Sequence, residues 1–269
     1  MANSNIKIGC CISMTSKSGT GVGEENIQLF AGLKYDYIEL PLAQLTELSE
    51  ADFSFVKKAA ADCGIPIEAC NNFFPATQRL TGENADHKAA LDYAKKALAR
   101  AAELGVKAVV LGSSGAKNIP EGFPKEKARE QFIDLLGKIN DIAAPLDIEI
   151  VIEPLNRTES NFVNSLPEGL EIARAVNKSH IRLLADYYHM RMEDEPMSNV
   201  IEAGDMLRHT HIAAKKGRKF PAAGDGEDYA AFAEALRGIG YSGRVSVEGA
   251  TDDIEKDAAA AIELLRSIF

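Results

Sequence analysis

Eight short apolar or β-branched runs recur along the chain, each separated from the next by a stretch with helical periodicity. They are Ile6–Cys10, Tyr37–Leu40, Ile67–Cys70, Lys107–Leu111, Ile148–Ile152, Ile181–Ala185, Leu207–Ile212 and Arg244–Val247, and their starts lie 26 to 41 residues apart. Between them, Ala89–Leu104 sets Leu91, Ala94, Ala97, Leu98 and Ala101 on one helical face, and Lys127–Ala143, Pro167–Val176 and Asp257–Phe269 read the same way. Strands joined by helical crossovers of this length run parallel. Eight such units in 269 residues match the size of a closed barrel. An open doubly wound sheet shares the alternation, but no G-x-G-x-x-G turn follows the first run. The expected fold is therefore α/β, a single (β/α)8 TIM barrel over residues 1–269, with its active site at the C-terminal ends of the strands.

Composition narrows the function. Hydrophobic residues at 46% and charged residues at 26% exclude wholesale disorder. A formal charge of −10 opposes a phosphate backbone, so no nucleic-acid partner is expected. The four cysteines, Cys10, Cys11, Cys63 and Cys70, form no C-x-x-C pair and no disulfide framework. The opening Met1-Ala2-Asn3-Ser4-Asn5-Ile6-Lys7 lacks the apolar run of a signal peptide, and no stretch approaches a membrane span. A reduced cytoplasmic setting without membrane contact is the expectation.

The residues that end the strands carry the chemistry. Glu153 follows the fifth run, Asp186 the sixth, and Glu248 the eighth, while the seventh contains His209 and His211. In a closed barrel these ends converge on one axis. Three converging carboxylates repel and raise one another's pKa unless a cation neutralises them. A Glu, Asp, His, Glu set suits Mn²⁺, Mg²⁺ or Co²⁺, whereas structural Zn²⁺ more often recruits cysteine. The competing reading for any single one of them is a rim group bonded to a loop; four at matching strand ends favour a site. His209 and His211 lie two apart and share a face; His211, nearer the rim, is the expected ligand, and His209 is either packed or supporting. His189 lies within reach of a bound ligand, and His87 and His180 read as surface or helix-end residues. Two loops at strand C-termini, Ser13–Gly23 and Gly112–Phe123, lack a P-loop lysine pattern. Glu39, expected to end the second strand, either contacts substrate or braces the barrel mouth. Asn71 and Asn72, at the end of the third, are candidate hydroxyl contacts.

Three segments give the chain a resemblance. Glu153-Pro154-Leu155-Asn156-Arg157-Thr158-Glu159 is similar to an E-x-x-N-R-x-E motif, and Asp186-Tyr187-Tyr188-His189-Met190 to a D-x-x-H-M motif. His209-Thr210-His211, then Arg218, Pro221, Gly224-Asp225-Gly226 and Val247-Glu248 follow in the same order. Together they resemble the xylose isomerase-like TIM-barrel superfamily, above all its D-tagatose and D-psicose 3-epimerase branch. The resemblance implies that Glu153, Asp186, His211 and Glu248 bind one divalent metal, Mn²⁺ first and Mg²⁺, Co²⁺ or Zn²⁺ as alternatives. It implies Glu153 and Glu248 as the acid/base pair on opposite substrate faces, Glu159, His189 and Arg218 as substrate contacts, and a dimeric or tetrameric homo-oligomer.

The sequence departs from the branch in the loop after the seventh strand. An acidic residue usual three positions after the metal histidine is here Ala214, the Asn-Arg pair is displaced as Lys216-Gly217-Arg218, and the chain has no Trp. Lys215, Lys216, Arg218 and Lys219 read either as a solvated loop or as an anion site for a sugar phosphate. The expected enzyme is thus an isomerase of the ketose 3-epimerase or aldose–ketose type, acting on a sugar or sugar phosphate through an enediolate. Lys215–Gly226 is also similar to hydroxypyruvate isomerases. An inosose dehydratase-like lyase would use the same metal site. An endonuclease IV-type repair enzyme would need further histidines after strands three and four, where Asn71 and Gly112-Ser113 stand. A non-catalytic sugar binder has no need of two opposed carboxylate bases.

Overall fold

A computed structural model describes residues 6–269; the opening Met1–Asn5, read above for the lack of a leader, lies outside them. Eight strands form a closed, all-parallel barrel in chain order: β1 (Lys7–Cys11), β2 (Tyr37–Pro41), β3 (Ile67–Asn71), β4 (Ala108–Leu111), β5 (Glu149–Ile152), β6 (Ile181–Asp186), β7 (Leu207–Ile212) and β8 (Arg244–Val247). β1 pairs with β8 through Lys7↔Arg244 to Cys10↔Val247, which closes the ring. Each expected run lies within a residue of its strand's bounds.

The helices on the outside begin where short polar side chains take up free backbone N–H groups. Ser49 accepts from Asp52 N at the head of Glu50–Cys63, Asp86 from Ala89 N at His87–Glu103, and Ser165 from Glu168 N at Leu166–Val176. Asp228 and Asp253 do the same for Tyr229–Gly238 and Ile254–Ile268. The longest, Lys125–Ala143, buries Phe132, Leu135, Leu136 and Ile139. The expected helices begin one to three residues earlier than read. The loop 112–123 contains one helical turn, Ser114–Lys117.

Strand alternation divides the apolar residues between two compartments. Ile38, Leu40, Val109, Leu111, Ile150 and Ile152 join the main core between strands and helices. Tyr37, Ala69 and Ala108 form one inner cluster, and Val110, Val151 and Leu184 another. Gly9 admits the Tyr37 ring, since a methyl there would stand 2.3 Å from its Cζ. The Tyr37 hydroxyl meets Ser246 Oγ at 2.6 Å. The barrel interior below its C-terminal end is thus filled by packed side chains. Among the described residues no helix is long and apolar enough to cross a membrane.

Candidate active site

Glu153, Asp186, His211 and Glu248 meet at the C-terminal end of the barrel, each offering a ligand atom within 4.8 Å of the others. All four are buried, with His211 wholly enclosed and Glu248 7% exposed. Glu153 follows β5, where its backbone N–H donates to Leu111 O at 3.3 Å, and Glu248 follows β8, where its N–H donates to Ile212 O at 3.1 Å. The ladder thus carries on past the strands and aims both carboxylates inward. Asp186 ends β6 and caps the short helix Tyr187–Met192, accepting from Tyr188 N at 2.8 Å. That bond fixes one oxygen and leaves the other, Oδ2, buried without a hydrogen-bond partner.

His211 connects this cluster to the layer beneath. Its Nδ1 lies 3.0 Å from Glu153 Oε1 and 3.3 Å from Glu248 Oε2, and its Nε2 lies 3.1 Å from Glu39 Oε1. β2 continues to Pro41, so Glu39 lies two residues below the strand end instead of ending it, and is wholly buried. Its second oxygen accepts from Ser246 Oγ at 2.6 Å and meets His209 Nε2 at 2.7 Å. With both oxygens engaged, Glu39 sits as a brace beneath the site. Burial opposes a charged His211, but Glu248 and Glu39 outweigh it and raise its proton affinity well above the ordinary range; a metal would displace the Nδ1 proton while Glu39 keeps the one on Nε2. Both histidines do share one face, their ring centroids 5.1 Å apart.

The charges are unevenly resolved. Burial, aided by Glu248, raises the Glu153 carboxyl above its ordinary range despite the offset from His211 and Arg218. Burial likewise pushes Asp186 up to about 7 against the pull of Arg218 and His211. For Glu248 burial acts the same way, but His211 and Arg218 outweigh it and hold the carboxyl well below the usual range. Burial is also outweighed at Glu39, by His209 and His211. Arg218 is the cation above the cluster: it bonds Glu248, and its guanidinium lies 3.7 Å from Asp186 Oδ2 and 3.5 Å from Glu159 Oε2. It also lies over the Tyr188 ring at 4.8 Å. Gly217 at φ 73° and Arg218 at φ 48° turn the chain sharply enough to bring it inward.

The remaining expected contacts surround this cluster. His189 Nδ1 accepts from the backbone N–H of Asn156 at 3.2 Å, which leaves the proton of the neutral ring on Nε2, 3.5 Å from Asp186 Oδ2. Burial lowers its pKa to about 3, so the ring stays neutral. Glu159 accepts from Asn156 Nδ2 at 2.9 Å. Asn71 donates from Nδ2 to Glu248 Oε1 at 2.9 Å, and its Oδ1 is buried without a partner. The cations of the following loop do not converge: Lys215 pairs with Asp194, Lys219 with Asp252, Arg218 turns inward, and Lys216 is exposed.

Three participants escaped the sequence reading. Asn156 is wholly buried and links His189 with Glu159. Cys11 Sγ lies 3.9 Å from His211 Nε2, its thiol pushed up chiefly by burial and then by Glu39. The place of Cys11 at the end of β1 was the available signal. Lys117 is wholly buried, donates to Glu153 O at 2.7 Å, and is pushed down to about 7 by burial.

The donor chemistry fits one divalent ion: three carboxylates and an imidazole nitrogen converge, and Asp186 Oδ2 is an orphaned buried oxygen among them. A fold with its candidate site at this end defines an α/β barrel whose donor set could hold a metal, and the comparisons make the class specific. A family model described as xylose isomerase-like TIM barrel matches residues 27–268, and the chain belongs to that family. It is 29% identical over 227 residues to D-psicose 3-epimerase of Agrobacterium fabrum (strain C58), covering 82% of this chain and 77% of that one. It is 28% identical over 208 residues to 3-dehydro-D-guloside 4-epimerase of Escherichia coli (strain K12), covering 72% and 76%. A crystal structure of D-psicose 3-epimerase in the presence of D-fructose superposes with a TM-score of 0.85 at 25% identity, covering 98% of this chain and 99% of that one. The chain is an enzyme of the isomerase and epimerase class.

Proposed function

We propose that the protein is a divalent-metal-dependent sugar epimerase of the ketose 3-epimerase type, with Glu153 and Glu248 as its acid/base pair and Mn²⁺ as its metal. The observation that carries this reading is the buried convergence of Glu153, Asp186, His211 and Glu248 within 4.8 Å. A bound divalent ion supplies Lewis-acid stabilisation of the negative charge that develops on the substrate oxygens. One carboxylate removes the proton from the carbon beside the carbonyl, and the C–H electron pair moves onto the carbonyl oxygen to give an enediolate. The other returns a proton to the opposite face and inverts the centre. Glu248, which His211 and Arg218 hold ionised, suits the carboxylate that removes the proton, and Glu153, whose burial favours its protonated form, suits the one that returns it. His189 Nε2–H, Arg218, Glu159 and Asn71 surround the cluster as contacts for sugar hydroxyls, with Glu39 supporting from beneath. Lys216 is the loop cation left to meet a phosphate.

The relatives named as 3-epimerases and as a 4-epimerase share one chemistry, inversion beside a carbonyl, and the site fits either. A cytoplasmic homo-oligomer acting on a free sugar or its phosphate is the setting we infer. Against an endonuclease, the ends of β3 and β4 carry Asn71 and Gly112 where further histidines would be needed.

The test is solvent exchange read by NMR. Mn²⁺-loaded protein in D₂O is mixed with a panel of ketoses, ketose phosphates, 3-keto glycosides and hydroxypyruvate. Deuterium beside the carbonyl of one compound, with its epimer accumulating, is the expected result. Loss of water from the product would move the reading to a lyase. No exchange with Mn²⁺ demonstrably bound would sink it.

A further inference from the structure

The loop after β4 supplies none of the four clustered donors, yet it touches Glu153 in two ways. A methyl group on Gly112 would stand 1.9 Å from Glu153 Oε2 and 3.0 Å from its Cδ, so the carboxylate rests directly on the glycine backbone. Five residues on, Lys117 is wholly buried and donates from Nζ to the main-chain oxygen of Glu153 at 2.7 Å. A lysine in a Gly/Ser-rich loop would ordinarily keep its ammonium in water, because burial costs free energy that only a specific contact offsets.

The loop itself is held from both sides. From the β3 loop, Arg79 donates to Gly115 O at 2.6 Å and to Asn118 O, and Thr81 Oγ1 donates to Lys117 O at 3.1 Å. Gly115 packs so closely on Ala76 that an added methyl would lie 2.5 Å from the alanine Cβ. From the β5 loop, Ser160 Oγ donates to Asn118 Oδ1 at 2.6 Å. A turn fixed this way cannot follow Glu153 if the latter moves.

We infer that Gly112 and Lys117 are positioning residues for Glu153: Lys117 fixes its main chain where β5 ends, and Gly112 provides the space in which its carboxylate reaches the cluster. The inference rests on the reading of Glu153 as one of the acid/base pair and a metal ligand. The two contacts govern different freedoms, one the backbone and the other the side-chain torsions. Because the atom that a methyl at Gly112 would strike is the free end of a side chain, Gly112→Ala is accommodated by moving that carboxylate. The substitution is therefore mild for folding and severe for the site.

The experiment compares Gly112→Ala, Lys117→Met, Lys117→Gln and the helix control Gly137→Ala, which has open space at its Cβ. Melting temperature, Mn²⁺ affinity by calorimetry, and kcat and KM on the ketose that the wild type turns over are measured. Gly112→Ala should melt within roughly 4 °C of wild type, lose about 100-fold in kcat with KM little changed, and bind Mn²⁺ about 10- to 100-fold more weakly. Lys117→Met should lower kcat as well, and Lys117→Gln, which keeps an N–H donor, should recover part of the loss. Gly137→Ala should match wild type in kcat, KM and Mn²⁺ affinity and melt slightly higher, as Ala replaces Gly inside a helix. A folded Gly112→Ala with wild-type kcat and wild-type Mn²⁺ affinity overturns the inference. If the wild type binds Mn²⁺ but turns over no ketose, the epimerase reading falls, and the difference in Mn²⁺ affinity still decides the role of Gly112.

Discussion

The two ends of the barrel are both charged and are charged in opposite styles. At the N-terminal end, signs alternate and pair: Lys7 and Arg244 flank Glu68 at 2.5 and 2.7 Å, and Arg208 meets Glu149 at 3.1 Å with Arg182 at 3.9 Å. At the C-terminal end, Glu153, Asp186, Glu248 and Glu159 face one arginine and one shared histidine. Three buried polar atoms without partners lie there, on Asn71, Asp186 and His189. The base pairs its charges with one another, although Arg182 Nε is buried there without a hydrogen bond, so it serves stability. The mouth keeps carboxylates that burial discourages from ionising, an imbalance that the proposed divalent ion or substrate hydroxyls would answer. Charge at one end of this barrel holds the fold together; at the other, on the proposed reading, it is kept for chemistry.

The largest break in that contrast is Glu153→Gln. It should lower turnover by roughly 10²–10⁴-fold while leaving the melting temperature unchanged or higher, since it removes a carboxyl whose burial disfavours its charge. A matching fall in stability would place Glu153 in the framework instead. Next comes Glu39→Gln, which keeps the shape but weakens the hold on His211 Nε2. Mn²⁺ binding measured by calorimetry should weaken about 10- to 100-fold; undiminished affinity would show that the layer under the cluster does not orient it. Metal addition sharpens the same point from the other side. Mn²⁺ at 100 times its Kd should stabilise the protein by about 2.7 kcal/mol, a rise of roughly 5–10 °C in Tm for a chain of this size, reversed by EDTA. No shift would mean that the clustered carboxylates do not bind the ion in the folded state.

The two ends were not equally legible in the sequence. The strands could be read because β-branched runs bounded by turns have a period and length of their own, and Glu153, Asp186 and Glu248 could be read because each interrupts such a run at its end. Depth was harder. Pro41 cannot donate to a ladder and reads as a terminator, yet β2 includes it, so Glu39 sits deeper than its neighbours in sequence imply. Lys117 was illegible: its loop is rich in glycine and serine, and its burial comes from contacts with loops 36 residues away at both Thr81 and Glu153. Arg218 points inward only because Gly217 and Arg218 both take positive φ, and a run of four cations carries no trace of that turn. The pairing at the base was equally hidden, because Lys7, Glu68 and Arg244 meet only once the barrel closes.

The smallest effect tests the base. Glu68→Gln removes the carboxylate shared by Lys7 and Arg244 and should leave turnover at the mouth untouched. Lys7 is half exposed, so solvent screening limits the loss to about 1 kcal/mol, or roughly 2–4 °C in Tm. The pH dependence gives the sign. Burial raises the Glu68 carboxyl, but Lys7 and Arg244 outweigh it and hold the folded-state value below the ordinary 4.5. A carboxyl depressed in the folded state stabilises above its unfolded pKa, and that stability disappears as the pH falls through the folded value. The wild type should therefore out-melt Glu68→Gln at pH 7, and the gap should close as the solution is acidified below 4.5. A gap that persists in acid would mean that the side chain acts at the base through packing alone, and the contrast between the two ends would lose its electrostatic half.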